Sequence, residues 1–152
     1  MNDEKRVPIY RKDYSVFDFT VEHLDLKFQL FEEETIVTAH AVYRKNPLSQ
    51  KDKPPLLLFG EKLELVSINL DGETVPAERY RLDDRSLCLE DPPVAFSLTI
   101  VTRIDPDKNT ALEGLYRSSG NYCTQCEAEG FRKITYFPDR PDVLTRYTTR
   151  IE

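Results

Sequence analysis

The sequence predicts an all-β fold: a saddle-like sheet or sandwich of short antiparallel strands with little or no helix. Three observations carry that prediction. Apolar residues recur at every second position in several segments, turn chemistry separates those segments at short intervals, and no helical apolar period stands out before residue 105.

Residues 1 to 18 show little periodicity and read as an extended lead-in, with Tyr10 and Tyr14 of Tyr10-Arg11-Lys12-Asp13-Tyr14 packed on the body of the protein. Residues 19 to 152 read as a single β domain. Leu24, Leu26, Phe28 and Leu30 alternate with Asp25, Lys27 and Gln29, which gives a strand with one face in the core. A turn at Glu32-Glu33-Glu34 leads into a second strand, Thr35 to Arg44, and the two form a hairpin. After a polar loop from Asn46 to Pro55, the run Leu56-Leu57-Leu58-Phe59 is short enough to be a buried strand rather than a helix. The alternation in Leu63 to Leu70 slips between Leu65 and Val66, as a bulge would make it. Asp71-Gly72 is the strongest turn signal of the chain and leads into Glu73-Thr74-Val75. Tyr80 to Leu82, Ser86 to Leu89 and Phe96 to Ile104 complete the regular part. No internal repeat is present.

From Asp105 the alternation gives way to a different style. The runs Asn109-Thr110-Ala111-Leu112-Glu113-Gly114-Leu115-Tyr116 and Cys123-Thr124-Gln125-Cys126-Glu127-Ala128-Glu129-Gly130-Phe131-Arg132, with Gly120 between them, bring three glycines, a Cys-x-x-Cys and a Gln-x-Glu-x-Glu into a short span. A segment that leaves its local pattern is a candidate for function. Leu112 to Tyr116 and Tyr122 to Glu127 are expected to pair as strands around Arg117 to Asn121. Ile134-Thr135-Tyr136-Phe137 is expected to be a further strand and Pro138 to Asp142 a rigid turn in which Arg140 meets a carboxylate. Arg146 to Ile151 begins another strand pattern that the sequence barely enters, which reads as a chain cut from something longer.

The formal net charge of −6 over 152 residues disfavours a nucleic-acid backbone as partner. The longest apolar stretch, around Pro54 to Phe59, is far shorter than a bilayer span, so no membrane partner is expected. The charged start, Met1 to Arg6, leads into no apolar segment, and the expected location is the cytoplasm. Three cysteines do not make a disulfide framework. Cys123 and Cys126 have the spacing of half a zinc site or a redox pair. Only Cys88, His23 and His40 remain as further ligands, at no ligand spacing, and no helical pattern follows, so two reduced thiols beside a strand are the reading adopted.

The runs at 109–116 and 123–132, together with Ile134-Thr135-Tyr136 and Asp139-Arg140-Pro141-Asp142-Val143, closely resemble the N-terminal domain of the bacterial aminopeptidase N group. That group belongs to the M1 family of zinc metallo-aminopeptidases. Tyr10 to Tyr14 resembles the family's opening, so the resemblance spans nearly the whole chain.

The resemblance implies a β-saddle first domain that precedes a thermolysin-like catalytic domain. There, zinc sits on a His-Glu-x-x-His helix and a Gly-Ala-Met-Glu-Asn strand contacts the substrate amino terminus. This chain has neither motif. The resemblance therefore implies a domain that is inactive by itself and binds no zinc, with no catalytic residue or metal ligand assigned within it. Its implied partners are peptide N-termini and the catalytic domain of the same polypeptide.

What carries over is the Gln-x-Glu of the loop. By resemblance Glu127 accepts hydrogen bonds from the substrate's protonated α-amine, and Gln125 borders the pocket for the first side chain. If the segment is extended, Cys126 and Ala128 point away behind the site. Without the resemblance, Glu127 and Glu129 read as solvated edge residues. The alternatives are a non-catalytic relative that uses the same domain as an interaction scaffold, and a free-standing ligand-binding β-sandwich.

Overall fold

The computed structural model describes Pro8 and residues 10–152; residues 1–7 and 9, which are part of the expected lead-in, lie outside the described residues. The fold is all-β, as the alternation predicts, and helix is confined to short 3₁₀ turns. The main sheet has six strands. Its centre is a run of long antiparallel neighbours, β1 (Phe19–Leu30), β2 (Thr35–Lys45) and β8 (Ala95–Ile104). On one side β8 is followed by β4 (Glu64–Leu70) and β5 (Glu73–Thr74); on the other, β11 (Arg146–Ile151) runs parallel to β1 as the edge strand. A three-stranded sheet contains β3 (Leu56–Phe59), β6 (Tyr80–Leu82) and β7 (Ser86–Leu89), in the order β3-β7-β6. A separate hairpin is made by β9 (Gly114–Ser118) and β10 (Asn121–Gln125).

The inward faces obey the period of two. Leu24, Leu26 and Phe28 of β1, Val37, Ala39, Ala41 and Tyr43 of β2, and Phe96, Leu98, Ile100 and Ile104 of β8 are buried in one cluster. Leu56, Leu58, Leu87 and Leu89 of the small sheet belong to the same cluster and are wholly buried. Tyr43 stacks on Phe96 at 5.3 Å between ring centroids, and its burial pushes the phenol's pKa up.

Local chemistry sets the turns. Asp71 (φ 50°) and Gly72 (φ 88°) both take the left-handed region, as a two-residue hairpin turn requires, and Leu70 then pairs with Glu73. The register of β4 against β8 shifts between Leu65 and Ser67, where the sequence alternation slips.

Four expectations are corrected. β1 begins at Phe19 rather than Leu24, because a register shift between Val21 and His23 inserts one residue and disguises the continuing inward face of Phe19 and Val21. Tyr10 and Tyr14 are 54% and 61% exposed, so the lead-in is not held by buried rings. Tyr14 is tied instead by its hydroxyl, which donates to Asp142 Oδ2 at 3.0 Å. Residues 134–137 do not form a strand. They follow a 3₁₀ turn at Phe131–Lys133, with only an isolated bridge between Phe59 and Phe137. All four are buried, and a strand with two different faces cannot bury four consecutive side chains against one core. Finally, β11 is a full strand, paired from His23/Arg146 to Phe28/Ile151.

The segment after residue 130 is anchored by few bonds. Thr102 Oγ1 donates to Ile134 O at 3.0 Å from the buried face of β8. Phe59 and Phe137 exchange backbone hydrogen bonds of 2.8 and 3.1 Å. Arg140 donates to both Asp142 oxygens, at 2.8 and 2.6 Å, and also to Ser15 O, so it shapes the turn and pins the lead-in.

Two predictions follow from this packing. Leu58→Ala, in the wholly buried row shared by both sheets, is expected to lower the unfolding free energy by about 2–5 kcal/mol in urea denaturation. The Arg140 hydrogen bonds hold the Asp142 carboxyl below its usual range, so its contribution is present above the unfolded-state pKa near 4 and is lost as pH falls through the lower folded value. Asp142→Asn is therefore expected to reduce the acid sensitivity of the melting temperature below pH 4, as read by circular dichroism.

Candidate functional site

The loops at 105–113 and 126–130 lie on either side of the β9–β10 hairpin. Asn109 organises the first: its side-chain amide donates to Glu113 O at 2.7 Å and Leu115 O at 2.8 Å. Ser119 (φ 51°) and Gly120 (φ 82°) make the tight turn of the hairpin, and Gln125 pairs with Gly114 at its open end.

The chain does not stay extended beyond Gln125. Residues 127–130 form a turn closed by the Gly130 N–H, which donates to Cys126 O at 2.8 Å. The peptide bond between Glu127 and Ala128 is cis. Gln125 Nε2 donates to Glu127 O at 3.0 Å and holds the turn from inside. The expected extended Gln-x-Glu is thus a strand end and a turn tip. Cys126 turns inward and is half-buried, as expected, but Ala128 is exposed on the turn. Burial pushes the Cys126 thiol up, with a smaller contribution from Asp139, and all three cysteines are free.

Two glycines make the turn's position possible. A Cβ on Gly130 would lie 2.2 Å from Gln125 O and 2.9 Å from Cys126 Cα, and one on Gly114 would lie 2.8 Å from Lys133 Cβ. The backbones of the hairpin and the turn approach more closely than any side chain permits. Lys133 also pairs with Glu113, which lowers the Glu113 carboxyl's pKa and joins the two loops across the hairpin.

Arg132 anchors the same turn from below. Among the described residues it is the only charged one in the buried set, at 7% exposure. Its backbone N–H and Nε donate to Asp139 Oδ2 at 3.1 and 3.0 Å, and Nη2 donates to Asp139 O at 3.0 Å. Nη2 also lies 3.3 Å from Glu129 Oε1, and the guanidinium sits 4.7 Å from the Phe59 ring centroid. Sequence reasoning quoted Arg132 and Gly130 but gave them no role. The signal was a cation and a glycine shortly before Ile134 to Phe137, a stretch without strand alternation.

Glu127 and Gln125 are both exposed. Among the described residues no cation stands within salt-bridge distance of the Glu127 carboxylate, whereas Glu129 is paired with Arg132. The bond from Gln125 Nε2 to the turn leaves its amide oxygen available, so a strand end and a turn tip present two oxygen acceptors, one of them charged. That arrangement suits a cationic hydrogen-bond donor. His23 and His40 lie elsewhere, on the main sheet: His23 Nε2 is 2.9 Å from Asp25 Oδ1 and His40 Nδ1 is 2.8 Å from Thr99 Oγ1. Among the described residues no group of three or more His, Cys, Asp or Glu side chains is placed to hold a metal ion.

No family model matches the sequence. Direct comparison does find relatives. The chain is 50% identical over 140 residues to aminopeptidase N of Caulobacter vibrioides, and 45% identical over 142 residues to aminopeptidase N of Escherichia coli. Those matches cover 92% and 93% of this chain and 16% of each relative, so the chain spans about one sixth of the proteins it matches. The fold superposes on the crystal structure of Legionella pneumophila aminopeptidase A in complex with aspartic acid, with a TM-score of 0.86 and 31% identity, over 92% of this chain and 16% of that one. It also matches an M1 zinc metallopeptidase of Deinococcus radiodurans, with a TM-score of 0.70 over 88% of this chain and 32% of that one; at 15% identity that likeness is one of fold.

Fold and sequence together define an N-terminal β domain of the M1 metallopeptidase type. The chain belongs to the aminopeptidase N family.

The ion pair beneath the turn gives a test of its anchoring. Arg132→Met leaves Asp139, whose side chain is 13% exposed, without its cation, and is expected to cost about 3–5 kcal/mol in chemical denaturation, with Arg132→Lys losing less.

Proposed function

We propose that this chain is the substrate-anchoring domain of a zinc aminopeptidase that removes N-terminal residues from peptides. Glu127 is the group that grips the substrate's free α-ammonium. The observation that carries this reading is an exposed carboxylate with no cationic partner among the described residues, mounted on a turn that is fixed from three sides.

The chemistry suits an exopeptidase. A protonated amine carries three donors and one charge, and an ionised carboxylate meets it with charge-assisted hydrogen bonds. Gln125 adds a neutral acceptor: its Nε2 is committed to Glu127 O, so its oxygen remains to take a second N–H, beside the pocket for the first side chain. A contact fixed to the amino terminus sets how far along the peptide the reacting bond lies, which is how a rigid anchor contributes to catalysis. Similarity to aminopeptidase N supports the reaction class.

Among the described residues no group of side chains is placed to hold a metal ion, and the role assigned to this chain passes through no metal. Zinc, the catalytic groups and the peptide-bond chemistry are assigned to the remainder of a longer polypeptide, and this domain alone is expected to be inactive. The cytoplasm is the proposed location.

In the complete enzyme, Glu127→Ala is expected to lower kcat/KM for a free-amine dipeptide by roughly 100-fold or more, as truncation of a desolvated charge contact does. Glu127→Gln, which keeps the shape and loses the charge, is expected to recover only part of that. An unchanged kcat/KM in steady-state assays would remove Glu127 from the amine site.

A further inference from the structure

Three carboxylates converge on one guanidinium. Arg132 Nε lies 3.0 Å from Asp139 Oδ2, Nη2 lies 3.3 Å from Glu129 Oε1, and Nη1 lies 3.9 Å from Glu61 Oε1. The three carboxylates belong to different parts of the chain. Asp139 follows the buried run 134–138, and Glu61 follows β3. Glu129 alone stands on the turn that displays Glu127.

The guanidinium is fixed before it reaches that turn. Its Nη2 also donates to Asp139 O at 3.0 Å, and the Phe59 ring centroid is 4.7 Å away. The backbone of Arg132 is held at both ends: its N–H donates to Asp139 Oδ2 at 3.1 Å, and its carbonyl accepts from the Glu61 N–H at 2.9 Å. A planar fork with donors in fixed directions holds Asp139 with one edge and reaches Glu129 with the other. An ammonium on a flexible stem is a single point of charge and does not span both.

The hydrogen bonds that close the turn act within it. Gly130 N–H donates to Cys126 O, and Gln125 Nε2 to Glu127 O, so together they set its shape. Its direction relative to the core depends on contacts that leave it, among them the close approach of Gly130 to Gly114 and the Glu129–Arg132 pair. With one partner buried, that pair is screened less than one between two exposed side chains.

We propose that Arg132 is a positioning residue for the amine contact. It acts through Glu129 to hold the 126–130 turn, and with it the Glu127 carboxylate, at a fixed place over the core, and it touches no substrate atom. The assignment rests on the role proposed for Glu127 and adds a second requirement, that the carboxylate be aimed as well as unpaired. A misplaced anchor loses geometry at the reacting bond as well as affinity.

A kinetic double-mutant cycle on the complete enzyme tests it, with a free-amine dipeptide as substrate. Arg132→Lys keeps a cation beside Asp139 and loses the reach to Glu129. Glu129→Ala cuts the same link from an exposed side chain, where folding is little affected. At a temperature where circular dichroism shows the variants folded, each is expected to lower kcat/KM roughly tenfold, chiefly as a higher KM. In a Glu127→Ala background each is expected to change kcat/KM by less than about twofold, because the group they aim is gone. Should Arg132→Lys unfold, the Glu129→Ala arm decides alone. Losses that persist in full in the Glu127→Ala background would overturn the proposal, since they would report the charge lost rather than the carboxylate aimed. An impaired Glu127→Ala beside a fully active Glu129→Ala would remove the positioning role and leave the amine site standing. A Glu127→Ala enzyme as active as the parent would remove the amine site, and the positioning role with it.

Discussion

A guanidinium taken out of water holds its neighbours in place, because any carboxylate it loses leaves a buried charge uncompensated. Arg132 occupies that position between parts of the chain that share no sheet. Asp139 binds it with both a side-chain and a backbone oxygen, Phe59 of β3 lies under its plane, and the N–H of Glu61 donates to its carbonyl at 2.9 Å. The stretch from Cys126 to Arg140 has almost no ladder hydrogen bonds of its own. It is fixed by this cation, by the Phe59–Phe137 bridge and by apolar side chains driven into the core. Through Glu129 the same cation reaches the turn that displays Glu127.

Much of the fold was legible in the sequence because it is governed by short-range rules. The β1–β2 hairpin follows from strict alternation, the Asp71-Gly72 turn from two residues that tolerate positive φ, and the bulge in β4 from a slip in the pattern. The failures have equally physical causes. The bulge at Val21/His23 moves the inward face by one residue, so Phe19 and Val21 lost their visible connection to Leu24. Ile134 to Phe137 has the composition of a strand and no period. Four consecutive inward side chains are possible only where the backbone leaves regular structure, and the missing alternation was the available signal. That β11 would lie parallel to β1 is a non-local fact that no local pattern encodes.

The candidate site was legible in part. The family resemblance singled out Gln125 and Glu127 as candidates, but the extended geometry expected for them ends at Gln125. The turn changes what each residue is for. In a strand, positions 125 and 127 would be equivalent neighbours on one face. Here Gln125 uses its amide nitrogen as a brace for the peptide of Glu127, which leaves only its oxygen uncommitted. The glycines could be noticed in the sequence but not interpreted. That Gly114 and Gly130 touch across the hairpin end depends on a contact sixteen residues apart, which no local pattern encodes.

Glu127 and Glu129 illustrate how a fold sorts identical chemistry. They are two residues apart on one turn and bear the same charge, in a chain whose net charge is already −6. Glu129 is paired to the buried guanidinium and serves the architecture. Glu127 is left without a cation among the described residues, on a peptide braced by Gln125 and closed by Gly130. A flexible surface glutamate would surrender side-chain and backbone freedom on gripping a cation, and that loss would offset much of the attraction. A carboxylate on a turn already ordered by folding gives up far less, because the backbone share of the ordering was met when the domain folded. In the role proposed for Glu127, the difference between a solvated edge residue and an anchor for an ammonium group therefore lies in the mounting rather than in the charge, and the mounting is built by Arg132 and two glycines.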